Sequence, residues 1–143
     1  MRDVEPTCSF ISLFLVATEA AYQCHSKIDM VILLDSSGSV TEEQFAATKK
    51  FAADLVRHFE ISKDRTNVAT LSFSQYVHTG RKFSDDVSDE SVLKAIDALP
   101  YEGSFTRLDF ALEKLQGVTF SKAQGARPYD KGSIIKYSIL GFG

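Results

Sequence analysis

The chain has 143 residues, 44% of them hydrophobic, which suffices for one domain with its own core and excludes a disordered chain. Its 16 Lys and Arg against 19 Asp and Glu leave a net charge of −3 with no basic cluster, which speaks against nucleic acid as a partner.

Residues 10–17, F-I-S-L-F-L-V-A, are too few to span a bilayer but suit the apolar core of a secretory signal peptide, with Thr18 and Ala20 as small residues before a cut. The expectation is a signal peptide over 1–20 and a single secreted domain over 21–143. Asp3 and Glu5 cancel the basic charge that such a leader carries, so an irregular N-terminal extension stays open as the alternative. A cut after Ala20 would leave Cys24 without Cys8, an odd thiol that points to a partner on another chain or in further sequence. Without cleavage the two cysteines can pair.

Residues 28–34, I-D-M-V-I-L-L, carry one charge and many β-branched and aliphatic side chains, the pattern of a strand buried on both faces in a parallel sheet. Asp35 ends the run. Thr41 and Gln44 have the spacing of a capping box, with Val40 and Phe45 at staple positions, so a helix is expected over 42–59, with Phe45, Ala52, Leu55 and Phe59 on its apolar face and Phe51 beside them. Residues 66–73 then read as a second strand, joined to the first by a right-handed crossover. After Ser74-Gln75, residues 76–83 are expected to return antiparallel, at an edge.

Ser88 is a cap for a helix whose face is Val92, Leu93, Ile96 and Leu99, closed by Pro100. Residues 101–106, Y-E-G-S-F-T, form a second loop, and Leu108, Ala111, Leu112 and Leu115 predict a third helix up to Gly117. Residues 121–132 read as a polar surface loop and 133–140 as a last strand. The fold class is therefore α/β, a Rossmann-like, open, mostly parallel sheet with helices on both faces.

In such sheets ligands sit beyond the carboxyl ends of the strands, where Asp35, Ser37 and Ser39 are placed. One carboxylate and two hydroxyls are hard oxygen donors that suit Mg²⁺ or Mn²⁺ better than Zn²⁺, which favours His and Cys. The spacing D-x-S-x-S is weak alone, since the same side chains can satisfy loop backbone. Its context strengthens it, because the motif ends a buried strand and a second loop carrying Thr106 precedes another helix. His25, His58 and His78 show no ligand spacing and read as surface or packing residues.

The ordered set D-S-S-G-S-V at 35–40, L-S-F-S closing the second strand and Y-E-G-S-F-T-R-L-D-F-A-L at 101–112 resembles the von Willebrand factor A domain, the module also inserted in integrins. The likeness runs from about Lys27 to the C-terminus. It implies a metal-ion-dependent adhesion site on Asp35, Ser37, Ser39 and Thr106, with Mg²⁺ or Mn²⁺ bound and an acidic side chain of a matrix or cell-surface protein, collagen-like ones included, completing the shell. Departures accompany it: Ser104 stands where a second glycine is common, and Leu108 and Asp109 where Thr-Gly often follows. The family's fourth strand usually ends in Thr-Asp-Gly, whereas here Phe142 takes the aspartate's place, and the family's last strands and helices would lie beyond Gly143.

Two other readings remain open at this level. A shortened, metal-deficient fragment would bind nothing. A Mg²⁺-dependent phosphoryl-transfer enzyme would use Asp35 as nucleophile, yet it needs further carboxylates and an acid or base, and the second loop offers only Glu102. Neither G-x-S-x-G nor a P-loop is present, so the expectation is a binding module and not an enzyme.

Overall fold

The computed structural model describes residues 27–128 and the backbone of 135–141; the signal peptide expected over 1–20, Cys8, Cys24, His25, Phe142 and Gly143 lie outside the described residues. The chain runs β1 (Ile28–Asp35), α1 (Glu42–Val56), β2 (Thr66–Phe73), β3 (Val77–Arg81), α2 (Asp89–Asp97), α3 (Leu108–Lys114) and β4 (Ile135–Gly141). The sheet order is β3-β2-β1-β4, with β1 parallel to both β2 and β4 and only β3 antiparallel. This is the open α/β sheet expected from the sequence.

All of β1 and β2 is buried, as strands covered on both faces must be. Side chains alternate across a strand, so Ile28, Met30, Ile32 and Leu34 meet α1 and α2 through Phe45, Val56, Val92 and Ile96. Val31 and Leu33 point the other way, into a cluster with Leu71, Phe73, Ala111 and Leu115. Each fully buried aliphatic side chain contributes on the order of 1.5–3 kcal/mol, so this two-sided core holds β1 at the centre. Both bonds of the expected capping box form at α1, from Gln44 N–H to Thr41 Oγ1 at 3.2 Å and from Thr41 N–H to Gln44 Oε1 at 2.8 Å.

Several expectations are corrected. α1 stops at Val56, although Phe59 is still buried in the turn that follows. Phe51 faces solvent, because the helical period turns it away from the sheet that Ala52 and Leu55 reach. β3 covers only Val77–Arg81, and its pairing with β2 shifts register between Thr70 and Leu71. Leu112 is 37% exposed, for α3 touches the sheet through Ala111 and Leu115 and passes into a π-helical turn, Leu115–Thr119, that ends the regular period.

The stretch read as a polar surface loop is anchored. A 3₁₀ turn, Lys122–Gln124, leads through Gly125 at φ +84° to a buried Ala126 and to Arg127. A side chain on Gly125 would collide with the backbone of Ser84, so the close approach requires glycine. Arg81, which sequence reading passed over, is also buried; its guanidinium donates to Asn67 Oδ1 at 3.0 Å, Ser91 Oγ at 3.2 Å, Asp86 O at 2.7 Å and Val68 O, tying α2 to the sheet. Burial pushes its pKa below the ordinary value, against the pull of Asp85 and Asp86.

Candidate metal centre

The centre is built where β1 ends. Ser36, fully buried, is bolted to the end of β2: its N–H donates to Phe73 O at 2.8 Å and its Oγ to the same carbonyl at 3.1 Å. The chain then turns over the Asp35 carboxylate, whose Oδ1 accepts from Ser37 N–H at 2.8 Å, the local pairing that short acidic side chains favour in loops. Ser37 is buried and Ser39 exposed, yet their hydroxyl oxygens lie 3.0 Å apart. A row of oxygen donors thus leads from the interior to solvent.

The second loop docks on the first through the backbone. Gly103 N–H donates to Ser36 O at 2.7 Å, and Gly38 N–H donates to Ser104 O at 2.7 Å. A Cβ on Gly38 would stand 2.9 Å from Gly103 O, so this contact depends on a bare α-carbon. Tyr101 adds a third tie, its hydroxyl donating to Val40 O at 2.6 Å while its ring packs 5.8 Å from that of Phe45. From the other side Ser74, buried at the end of β2, donates through Oγ to Phe105 O at 3.0 Å and accepts from Ser104 N–H at 3.2 Å. Its carbonyl accepts from Arg107 N–H at 2.9 Å.

Thr106 sits between Phe105 and Arg107, both of which Ser74 holds. It is exposed, and among the described residues its hydroxyl makes no hydrogen bond. The structure therefore brings Asp35, Ser37 and Ser39 into direct contact and fastens the loop bearing Thr106 to theirs, without a bond from Thr106 itself. Sequence reading missed Ser36 and Ser74. The serines in D-S-S and L-S-F-S were their only signal, and nothing in a serine's identity says which backbone it will tie.

Two side-chain pairs flank the second loop. Glu102 Oε2 lies 3.2 Å from His78 Nε2. Arg107 grips Asp109 with Nε to Oδ1 at 2.9 Å and Nη2 to Oδ2 at 2.8 Å, which holds the Asp109 carboxyl down at about 2. His58 is exposed, and among the described residues no group of three or more His, Cys, Asp or Glu could hold a metal. The donors at the end of β1 are one carboxylate and hydroxyls, a set that matches a hard divalent cation.

A mostly parallel sheet with oxygen donors gathered at the carboxyl end of its central strand defines a domain of the doubly wound α/β class. The model of the von Willebrand factor type A domain matches residues 29–140, and the chain belongs to that family. It is 33% identical over 103 residues to matrilin-4 of Mus musculus, covering 72% of this chain and 16% of that protein. To von Willebrand factor of Rattus norvegicus it is 31% identical over 115 residues, 80% of this chain and 26% of the relative. To the collagen alpha-6(VI) chain of Homo sapiens it is 32% identical over 125 residues, 87% and 5% respectively. The chain thus spans only a minor part of these relatives. Among solved structures, proximal thread matrix protein 1 from the mussel byssus has the same fold at a TM-score of 0.72 and 24% identity, over 82% of this chain and 31% of that one. Another structure of that mussel protein has a zinc-occupied MIDAS motif. Among the described residues no helix is long and apolar enough to cross a membrane.

Proposed function

We propose that this chain is an extracellular protein-binding module whose binding depends on a divalent cation, Mg²⁺ or Mn²⁺, held by Asp35, Ser37, Ser39 and Thr106. The observation that carries this reading is the 3.0 Å pair of hydroxyls on Ser37 and Ser39, on a loop fastened to that of Thr106 by two backbone hydrogen bonds of 2.7 Å. Asp35 supplies one negative charge and is oriented by Ser37 N–H; Ser37, Ser39 and Thr106 supply neutral oxygens. A cation bound by such a set keeps net positive charge and an open position that a carboxylate of a partner can fill. The partner is a matrix or cell-surface protein presenting an acidic side chain, collagen-like proteins included. The matrilin and collagen relatives support a place outside the cell, and the zinc-occupied motif of the mussel protein supports divalent occupancy. The module acts by binding and has no catalytic step.

Thermal denaturation with and without chelator tests the proposal. A ligand bound only to the folded state stabilises it, by about 2.7 kcal/mol at a hundredfold excess over Kd. Mg²⁺ or Mn²⁺ should therefore raise the midpoint. Thr106→Ala, which removes an exposed hydroxyl, should leave the metal-free midpoint unchanged and abolish the rise. A wild-type chain indifferent to both metals would overturn the reading in favour of a metal-deficient fragment.

A further inference from the structure

We infer that Ser74 is a positioning residue for the proposed metal centre: it fastens the span that carries Thr106 without bonding to any of the four proposed donors, and its hydroxyl sets how tightly the centre holds Mg²⁺. This rests on the metal-dependent reading above. Ser74 is fully buried where β2 ends, and each of its hydrogen-bonding groups is engaged. Its N–H donates to Tyr76 O at 2.9 Å and its carbonyl accepts from Arg107 N–H at 2.9 Å. Its hydroxyl donates to Phe105 O at 3.0 Å and accepts from Ser104 N–H at 3.2 Å.

β2 contributes no donor, yet its end fixes both loops. The carbonyl of Phe73 receives Ser36 N–H and Oγ, which sets the first loop, and the next residue, Ser74, sets the second. Consecutive α-carbons stand about 3.8 Å apart, so the spacing of the two loops is tied to one peptide unit at the end of a buried strand. The bonds from Gly103 N–H to Ser36 O and from Gly38 N–H to Ser104 O hold the near end of the second loop, and Arg107 N–H holds its far end. Phe105 and Thr106 lie between. Among the described residues the one side-chain hydrogen bond to that span comes from Ser74. Mg²⁺ takes its oxygens in near-octahedral placement at about 2.0–2.1 Å, so a donor on a loosened backbone binds it poorly. Groups that only orient a ligand therefore tune metal affinity, typically by roughly ten- to hundredfold.

Ser74→Ala removes the hydroxyl but keeps the backbone bonds from Gly38 to Ser104 and from Arg107 to residue 74, so the second loop stays docked while residues 105 and 106 are released. Calorimetric titration of the full chain with Mg²⁺, at a temperature where every variant is folded, should show affinity weakened roughly ten- to hundredfold. Without metal, amide exchange at Ser104 should speed up, while exchange at Gly103, bonded to Ser36 O, should keep its wild-type rate. Arg127→Gln serves as the control for stability alone and should keep the wild-type Mg²⁺ affinity. Should Ser74→Ala fail to fold, Ser74→Cys decides: a thiol is close in size but only a weak donor and acceptor, so this variant should fold and still bind Mg²⁺ less tightly than wild type. Wild-type affinity in the folded Ser74 variants, or an equal loss in Arg127→Gln, overturns the positioning role and leaves the metal reading standing. A wild-type chain that takes up no Mg²⁺ removes the metal reading and this inference together.

Discussion

Asp29 and Arg127, 98 residues apart in sequence, form an ion pair at the end of β1 remote from Ser37. Arg127 N–H and Nε donate to the two oxygens of the fully buried Asp29 carboxylate at 2.8 and 2.7 Å. The guanidinium also donates to Ile28 O at 2.7 Å and Arg65 O at 2.8 Å, so one side chain clips the segment after α3 to the entries of β1 and β2.

Removing one partner of a buried pair strands the other's charge. Arg127→Gln should lower unfolding stability by about 3–5 kcal/mol, read as a lower urea midpoint at unchanged slope. Adding Asp29→Asn should recover part of that loss, because the stranded charge goes too. A single mutant within half a kcal/mol of wild type would show that the pair is not a structural anchor.

The approach of the two loops depends on Gly38. Its missing Cβ leaves room for Gly103 O, which would lie 2.9 Å away. Gly38→Ala should push the loops apart at a cost of about 1–3 kcal/mol and weaken the Mg²⁺-induced stabilisation far more than Gly80→Ala, which crowds Thr70 and Leu99 under α2. Equal Mg²⁺ responses from the two variants would separate loop docking from metal affinity.

Among the described residues Thr70 Oγ1, buried beneath α2, has no hydrogen-bond partner. An unsatisfied buried hydroxyl costs about 1–3 kcal/mol, so Thr70→Val, which keeps the shape, should stabilise the fold by about 1 kcal/mol and raise the thermal midpoint. A lower midpoint would mean that the hydroxyl has a partner in solution.

Arg107 holds the Asp109 carboxyl at about 2, below its ordinary 3.8. A depressed folded-state value stabilises above the ordinary pKa, and the effect disappears as pH falls through the folded one. The Arg107–Asp109 pair therefore stays intact from neutrality down past 3.8 and is lost near 2. Carboxyl NMR should place the Asp109 midpoint there, and Arg107→Gln should return it toward 3.8. A midpoint that stays low in that variant would locate the cause elsewhere.

Local rules made much of this molecule readable. The run before Asp35 has to be a buried strand, and Thr41 with Gln44 has to start a helix, because both signals act within a few residues. Where the outcome depends on which distant face a residue meets, the reading slipped: Leu112 carries the helical period but is 37% exposed beside the packed Ala111, and Phe51 lies just off the packed stripe.

By itself, then, the sequence determined the α/β class, the placing of Ser37 and Ser39 on a loop after the central strand that Asp35 closes, and a second loop bearing Thr106. It did so because apolar periodicity and capping are written in side-chain type. Only the tertiary structure decided that these loops share a centre, through Gly103 to Ser36, Gly38 to Ser104 and Ser74 to Phe105. It also decided that Arg127 is an anchor and that Phe105 stands out to solvent. The reason is that most of those ties use backbone amides and carbonyls, which every residue carries alike and which leave no trace in composition or spacing until the chain closes on itself.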